Sequence, residues 1–237
     1  MSSAGDAISV ENLHYSYPDG MQALRGVTFR ISTGECVALV GANSAGKSTL
    51  LLHLNGCLLP PPKTVYIMGQ EVNTRSVQAI RQHLGTVFQE PDDQLFMPTI
   101  GEDVAFGPLN LDLPAEVVDA RVSWALNATG CVHLQHRPPY RCSGGEKRAA
   151  AIATVLSMEP DILLLDEPTS NLDPRARRQF IALIRTLPHT KLIATHDIAL
   201  VQDICPRTIV MFAGQIQADG PTEAIFADAA LLDACHL

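Results

Sequence analysis

The nine residues Gly41-Ala42-Asn43-Ser44-Ala45-Gly46-Lys47-Ser48-Thr49 constrain this chain more than any other stretch. They have the form G-x-x-x-x-G-K-[ST] and follow the apolar run Cys36–Val40, which reads as a buried strand. Ser48–Leu54 reads as a helix stopped at Asn55-Gly56. Strand, glycine loop and helix in that order make a cradle for phosphate. Successive backbone N–H groups turn inward around the oxygens, the helix N-terminus adds partial positive charge, and side chains at Gly41 and Gly46 would obstruct the curl. Lys47 is a compact cation suited to bridging β- and γ-phosphates, and the Ser48 hydroxyl is a hard oxygen ligand suited to Mg2+. A Gly/Ser-rich turn with a chance lysine is the plain alternative; the flanking strand and helix weigh against it.

Further along, Ile162–Leu165 is a continuous apolar run that ends in Asp166-Glu167, as a buried parallel strand with chemistry at its carboxyl end would. Asp166 is placed to hold Mg2+ through water and Glu167 to accept a proton from an attacking water. The strand Lys191–Thr195 delivers His196 to the same edge. Gly85–Gln89 reads as a strand ending in an amide that suits Mg2+ or a water without adding charge. Tyr17, before the turn Pro18-Asp19-Gly20, offers an aromatic face suited to a purine ring, although a Tyr before Pro is usually packing.

The remaining pattern places these pieces in an α/β fold. Residues 7–31 read as a small antiparallel sheet, Thr64–Met68 as a strand, Ser76–Leu84 as a helix, and Thr208–Phe212 with Gln215–Ala218 as a hairpin. From Glu90 to Pro160 short helical segments are broken by Pro91, Pro98, Pro108, Pro114 and Pro138-Pro139. Within them Val118, Val122, Ala125 and Leu126 form the apolar face of a helix over Ala115–Ala128. This insertion ends in Ser143-Gly144-Gly145-Glu146, a second anion-binding helix start. Ser170–Pro174 then turns into a helix over Arg175–Leu187.

Composition bounds the function classes. The 237 residues, 46% hydrophobic, are enough for a full core, while a net charge of −8 without a Lys/Arg cluster argues against nucleic acid. The start Met1–Asp6 has no basic or apolar leader character, and no run of eighteen apolar residues occurs, so the chain reads as neither secreted nor membrane-spanning. The six cysteines form no C-x-x-C pair and read as reduced cytosolic thiols.

These motifs in this order resemble the nucleotide-binding subunit of ATP-binding cassette (ABC) proteins, from about Ile8 to Phe226. The resemblance implies a P-loop NTPase with a RecA-like parallel-sheet core, a small antiparallel β subdomain and a helical signature subdomain. It implies one domain over 1–237: core at 7–89 and 161–220, helical subdomain at 90–160, and a short helical tail at 221–237. Tyr17 matches the adenine-stacking loop, Gly41–Thr49 the P-loop and Gln89 the Q-loop. Cys142–Glu146 match the signature, with Ser143, Gly144, Gly145 and Glu146 facing nucleotide. Asp166 and Glu167 match the Walker B pair, Ser170–Asp173 the D-loop, with Asp173 near nucleotide, and His196 the switch histidine.

The implied cofactors are ATP and Mg2+, the metal held by Ser48, Gln89 and Asp166, with Glu167, His196, Gln89 and Lys47 catalytic. Phe88–Phe96 and Tyr140–Arg148 look like the corresponding regions of energy-coupling-factor ATPases. The short end after the hairpin favours the cobalt/nickel import type over the vitamin type. Implied partners are a second copy, an integral T-type coupling subunit and S-type substrate subunits, at the cytoplasmic face of the membrane. Ser44, Cys142 and Lys63 depart from the family's Gly, Leu and Gly. Two other readings are a soluble cassette ATPase such as an iron–sulfur assembly scaffold, and metal sequestration by Cys131, His133 and His136. Pro138-Pro139 and the lack of a nearby carboxylate weigh against the last.

Overall fold

The computed structural model describes residues 5–237; Met1–Ala4, part of the segment read above as lacking leader character, lie outside the described residues. In chain order the elements are β1 (Asp6–Ser16), β2 (Gln22–Ser32), β3 (Cys36–Val40), α1 (Lys47–Leu54), β4 (Val65–Ile67), β5 (Gln70–Glu71), α2 (Val77–His83), β6 (Leu84–Val87), α3 (Ile100–Asn110) and α4 (Ala115–Ala128). They continue with α5 (Gly144–Leu156), β7 (Ile162–Asp166), α6 (Pro174–Thr186), β8 (Thr190–Thr195), α7 (Ile198–Ile204), β9 (Arg207–Phe212), β10 (Gln215–Pro221), α8 (Thr222–Ala227) and α9 (Ala229–Ala234). Two compact units divide the chain: Met1–Leu84, Ile162–Glu167 and His189–Leu237 form the first, Gly85–Asp161 and Pro168–Pro188 the second.

The first unit holds an antiparallel sheet in the order β2-β1-β4-β5 and a largely parallel sheet running β10-β9-β3-β8-β7. β3 is central because Val37, Ala38, Leu39 and Val40 are buried on both faces, as the apolar run required. It pairs in parallel with β8 and β9, so Val40, the residue before the glycine loop, lies level with Thr195, the residue before His196. β7 pairs with β8 with Asp166 opposite Ala194. Register alone therefore brings three strand ends to one edge. Ile8, Leu24, Ile31, Leu39, Leu50, Leu54 and Leu164 share one core.

The second unit is built on helices. Val118, Val122, Ala125 and Leu126 of α4 are buried, as their spacing anticipates, together with Ile100 and Val104 of α3 and Ile152 and Leu156 of α5. Two expectations change. Pro108 does not break α3 but sits in its last turn, where the helix is already ending. β6 ends at Val87, so Gln89 lies beyond the strand rather than at its tip.

Candidate functional site

In the first unit the glycine loop runs from the end of β3 into α1. Both glycines are required by close approach: a Cβ on Gly41 would lie 2.2 Å from the Met211 carbonyl oxygen, and one on Gly46, at φ 103°, 2.7 Å from that of Ala23. The obstruction comes from β9 and β2 behind the loop. Ser44, at φ 69°, also adopts the left-handed conformation that glycine takes without strain.

Lys47 is 7% exposed. Its Nζ donates to the carbonyls of Gly41 at 2.7 Å and Ala42 at 3.3 Å and lies 3.7 Å from Glu167 Oε1. Glu167, 6% exposed and at φ 42°, donates its backbone N–H to the Ala194 carbonyl at 2.8 Å. Its Oε2 accepts from the Thr195 hydroxyl at 3.0 Å and the His196 backbone N–H at 3.3 Å, and lies 2.9 Å from His196 Nδ1. The His196 side chain is 60% exposed, so its other ring edge faces solvent. Lysine, carboxylate and imidazole thus form one chain of polar contacts at the edge that strand register creates. Thr195 belongs to it and carries no signal in the sequence beyond its place before His196.

Beside this chain, burial holds the Asp166 carboxyl above its ordinary range, while a hydrogen bond with Ser48 and the Lys47 charge oppose the shift. Asp166 Oδ1 is buried without a hydrogen-bond partner. An orphaned carboxylate oxygen next to a serine hydroxyl fits a hydrated divalent cation, which satisfies both with oxygen ligation. Among the described residues no three of His, Cys, Asp or Glu gather to make a protein-only metal cage.

Tyr17 is half-buried; its hydroxyl shares a hydrogen bond with Thr49 at 2.9 Å, and its ring meets Tyr15 edge-on at 5.1 Å. The Tyr15 ring in turn meets His53 of α1 edge-on at 4.6 Å. The aromatic proposed for a purine is thereby braced against the helix that follows the phosphate loop.

In the second unit α5 opens with a capping box. The Ser143 hydroxyl accepts from the Glu146 backbone N–H, and the Glu146 carboxylate accepts from the Ser143 N–H at 2.8 Å, which with further donors keeps that carboxyl below its ordinary range. Arg137 donates to the same carboxylate at 3.2 Å and His133 lies 3.6 Å from it. His133 therefore has a carboxylate beside it, contrary to the expectation from the sequence. Glu146 acts here within the cap of its own helix start. Asp173 is itself the N-cap of α6, its side chain accepting from the N–H groups of Arg175 and Ala176. Ser143, Gly145, Glu146 and Asp173 line one cleft of about 840 Å³ together with Phe180 and Leu172.

Gln89 is exposed, and its carbonyl accepts from the guanidinium of Arg148 at 2.6 Å, as that of Phe88 does at 2.7 Å. Gln94 donates from its amide to the Ala151 carbonyl at 2.8 Å and to the Thr154 hydroxyl at 2.7 Å. Arg148 and Gln94 were not singled out from the sequence, because their partners are backbone carbonyls and a hydroxyl about 60 residues away. Leu95 is buried, whereas Phe96 is 62% exposed and stacks edge-on against Phe106 at 4.9 Å.

The pattern of the ABC transporter family matches residues 24–170. The chain belongs to the ABC transporter family. It is 57% identical to a Geobacter sulfurreducens protein named as an ABC transporter ATP-binding protein, over 97% of this chain and 92% of that one. It is 45% identical to the energy-coupling factor transporter ATP-binding protein EcfA of Methanothermobacter thermautotrophicus, over 95% and 74% of the two chains. A solved structure of cbiO1 from Clostridium perfringens, described as part of the ABC transporter complex cbiONQ, superposes with a TM-score of 0.86 at 37% identity, covering 97% of this chain and 94% of that one. A dimeric post-hydrolysis structure of the ATP-binding cassette MJ0796 bound to ADP and Pi gives 0.80 at 26% identity, covering 91% and 98%. The P-loop ABC ATPase fold is therefore established, and this ABC ATPase is an ATP-hydrolysing enzyme. None of its described helices is long and apolar enough to cross a membrane.

Proposed function

We propose that this ABC ATPase drives an energy-coupling-factor type importer whose cargo is a transition-metal ion, cobalt or nickel. The observation that carries the catalytic part is the contact chain Lys47–Glu167–His196 with Thr195 holding the carboxylate. In this reading the P-loop amides and Lys47 grip the β- and γ-phosphates, and Lys47 exchanges its loop carbonyls for phosphate oxygens as ATP enters. Glu167 takes the proton of the attacking water, and His196 orients the γ-phosphate. Ser48 and Asp166, with Gln89, are the residues that would hold Mg2+. When bound, that ion supplies charge neutralisation at the phosphates. Tyr17 stacks on the adenine.

Ser143, Gly144 and Gly145 present a helix N-terminus, with Glu146 fixing it, and one chain carries one P-loop and one such signature. Two copies arranged head to tail, each with its Asp173 loop at the junction, would enclose two ATP molecules. The γ-phosphate contacts absent with ADP then shift the equilibrium toward the closed dimer. The likeness to a dimeric cassette bound to ADP and Pi supports this arrangement. The domain reading over 1–237 stands as part of the proposal: core at 7–89 and 161–220, helical subdomain at 90–160, tail at 221–237.

The likeness to EcfA and to cbiO1 of cbiONQ supports an energy-coupling-factor complex with T-type and S-type membrane subunits at the cytoplasmic face. Exposed Phe96 and Phe106 are apolar surface suited to such a membrane partner. The Phe88–Phe96 and Tyr140–Arg148 resemblance supports the energy-coupling-factor class as a whole; a vitamin importer is the second reading, since neither EcfA nor cbiO1 is named with a cargo. Glu167→Gln is expected to keep ATP binding while turnover falls by about 10²-fold or more. Unchanged phosphate release would remove Glu167 from the role. Uptake of cobalt or nickel by cells producing the whole complex, against uptake of vitamins, separates the two cargoes.

A further inference from the structure

At the end of β3 opposite the phosphate loop, two cysteines that the ATPase reading does not use lie together. Cys36 is the first residue of β3 and Cys205 closes α7; 169 positions separate them in sequence, yet their Sγ atoms are 3.7 Å apart. Both backbones are fixed. Cys36 pairs with Lys191 in the β3–β8 ladder, the Cys205 N–H donates to the Val201 carbonyl, and the Cys205 carbonyl accepts from the Thr222 hydroxyl. The two thiols are unequal. Cys36 is half-buried and Cys205 only 4% exposed. The hydrogen bond with Cys205 and the nearby Lys191 ammonium hold the Cys36 thiol below its ordinary value against the effect of burial, whereas that same contact and burial push Cys205 up.

Elsewhere among the described residues the Cys131 thiol turns to the Thr129 carbonyl and the Cys142 thiol to the Pro138 carbonyl. The two sulfurs are already in contact, and the bonded separation is about 2.05 Å.

We propose that Cys36 and Cys205 are a hydroperoxide-reactive pair, with Cys36 attacking and Cys205 resolving, whose product is an intrachain disulfide. In the first step Cys36 sulfur attacks one peroxide oxygen. An S–O bond forms, the O–O bond breaks, and the leaving oxygen takes a proton to become water or an alcohol. In the second step Cys205 sulfur attacks the sulfenic sulfur of Cys36. The S–S bond forms, the S–O bond breaks, and hydroxide leaves as water with the Cys205 proton. The two thiols together lose two electrons and two protons, and the peroxide gains them. Lys191 steadies the attacking sulfur as an anion, and the burial of Cys205 keeps the second thiol from competing for peroxide.

The test uses the full chain treated with a few equivalents of hydrogen peroxide, then unfolded in a thiol-alkylating reagent and weighed intact. The expected result is four alkylated cysteines of the six, a mass lower by two hydrogens, a linked Cys36–Cys205 peptide, and full reversal by dithiothreitol. The linked form should melt roughly 5–10 °C higher, because the bond closes a long loop of the unfolded chain. Cys205→Ser should leave Cys36 as a sulfenic acid captured by dimedone, and Cys36→Ser should leave Cys205 unmodified. Six alkylatable thiols after treatment, a link between other cysteines, or dimedone capture on Cys205 in the Cys36→Ser chain would overturn the assignment.

Discussion

Glu167 holds a left-handed backbone at φ 42° that a non-glycine residue adopts at a cost of about 1–3 kcal/mol. The reward is position. With its N–H still bonded to Ala194, the side chain turns back so that one oxygen meets Thr195 and His196 while the other faces Lys47. Thr195 also accepts from the Asp197 N–H at 3.0 Å and is fully buried. Thr195→Val removes both of these hydrogen bonds and is expected to destabilise the protein by about 1–3 kcal/mol, measured by urea unfolding. At this scale the chemistry-bearing residues were readable because motifs name them. Their strain was not: the positive φ of Ser44 and of Lys63, at 69° and 63°, falls at two of the three places where this chain departs from the family pattern, both departures from glycine. At both positions a side chain stands in the conformation that glycine takes without cost.

Elements show a different balance. The predicted helices at Ser48–Leu54 and Arg175–Leu187 differ from α1 and α6 by a residue at their ends, because Lys47 and Pro174 already have helical geometry. The two N-terminal strands, read from the sequence as a small antiparallel sheet over residues 7–31, run eleven residues each with bulged registers that period-two patterning cannot follow. What the sequence hid is long-range and made with backbone. Arg148 of α5 is 3% exposed, and its guanidinium serves the carbonyls of Phe88 and Gln89. Burial lowers its pKa. With Gln94 bonded to Ala151 and Thr154, α5 and the segment around Gln89 behave as one piece within the second unit. Arg148→Met is expected to cost about 2–3 kcal/mol by leaving two carbonyls unpaired, again read from urea unfolding.

For the molecule as a whole, pH bears on stability through His53, which is fully buried, bonds through Nδ1 to the Leu58 carbonyl at 2.9 Å, and leaves Nε2 without a partner. Burial lowers its pKa below the ordinary 6.5, with the Leu58 bond opposing. The unfolded chain therefore binds a proton more readily than the folded one. This contribution to stability is present above about pH 6.5 and declines as pH falls below it. His53→Leu should flatten that part of the stability–pH curve, measured by thermal unfolding between pH 7.5 and 5. The strand edge, the fold class and the family were all legible from motif order. Pairing between copies is a property no single chain displays.

The most direct test is therefore the mass in solution of the Glu167→Gln chain with ATP and Mg2+, by size exclusion with light scattering. Twice the mass of the chain with ATP, reverting to one with ADP, is the result this account predicts. A chain that binds ATP tightly yet stays monomeric at every concentration, with or without its membrane partners, would contradict it.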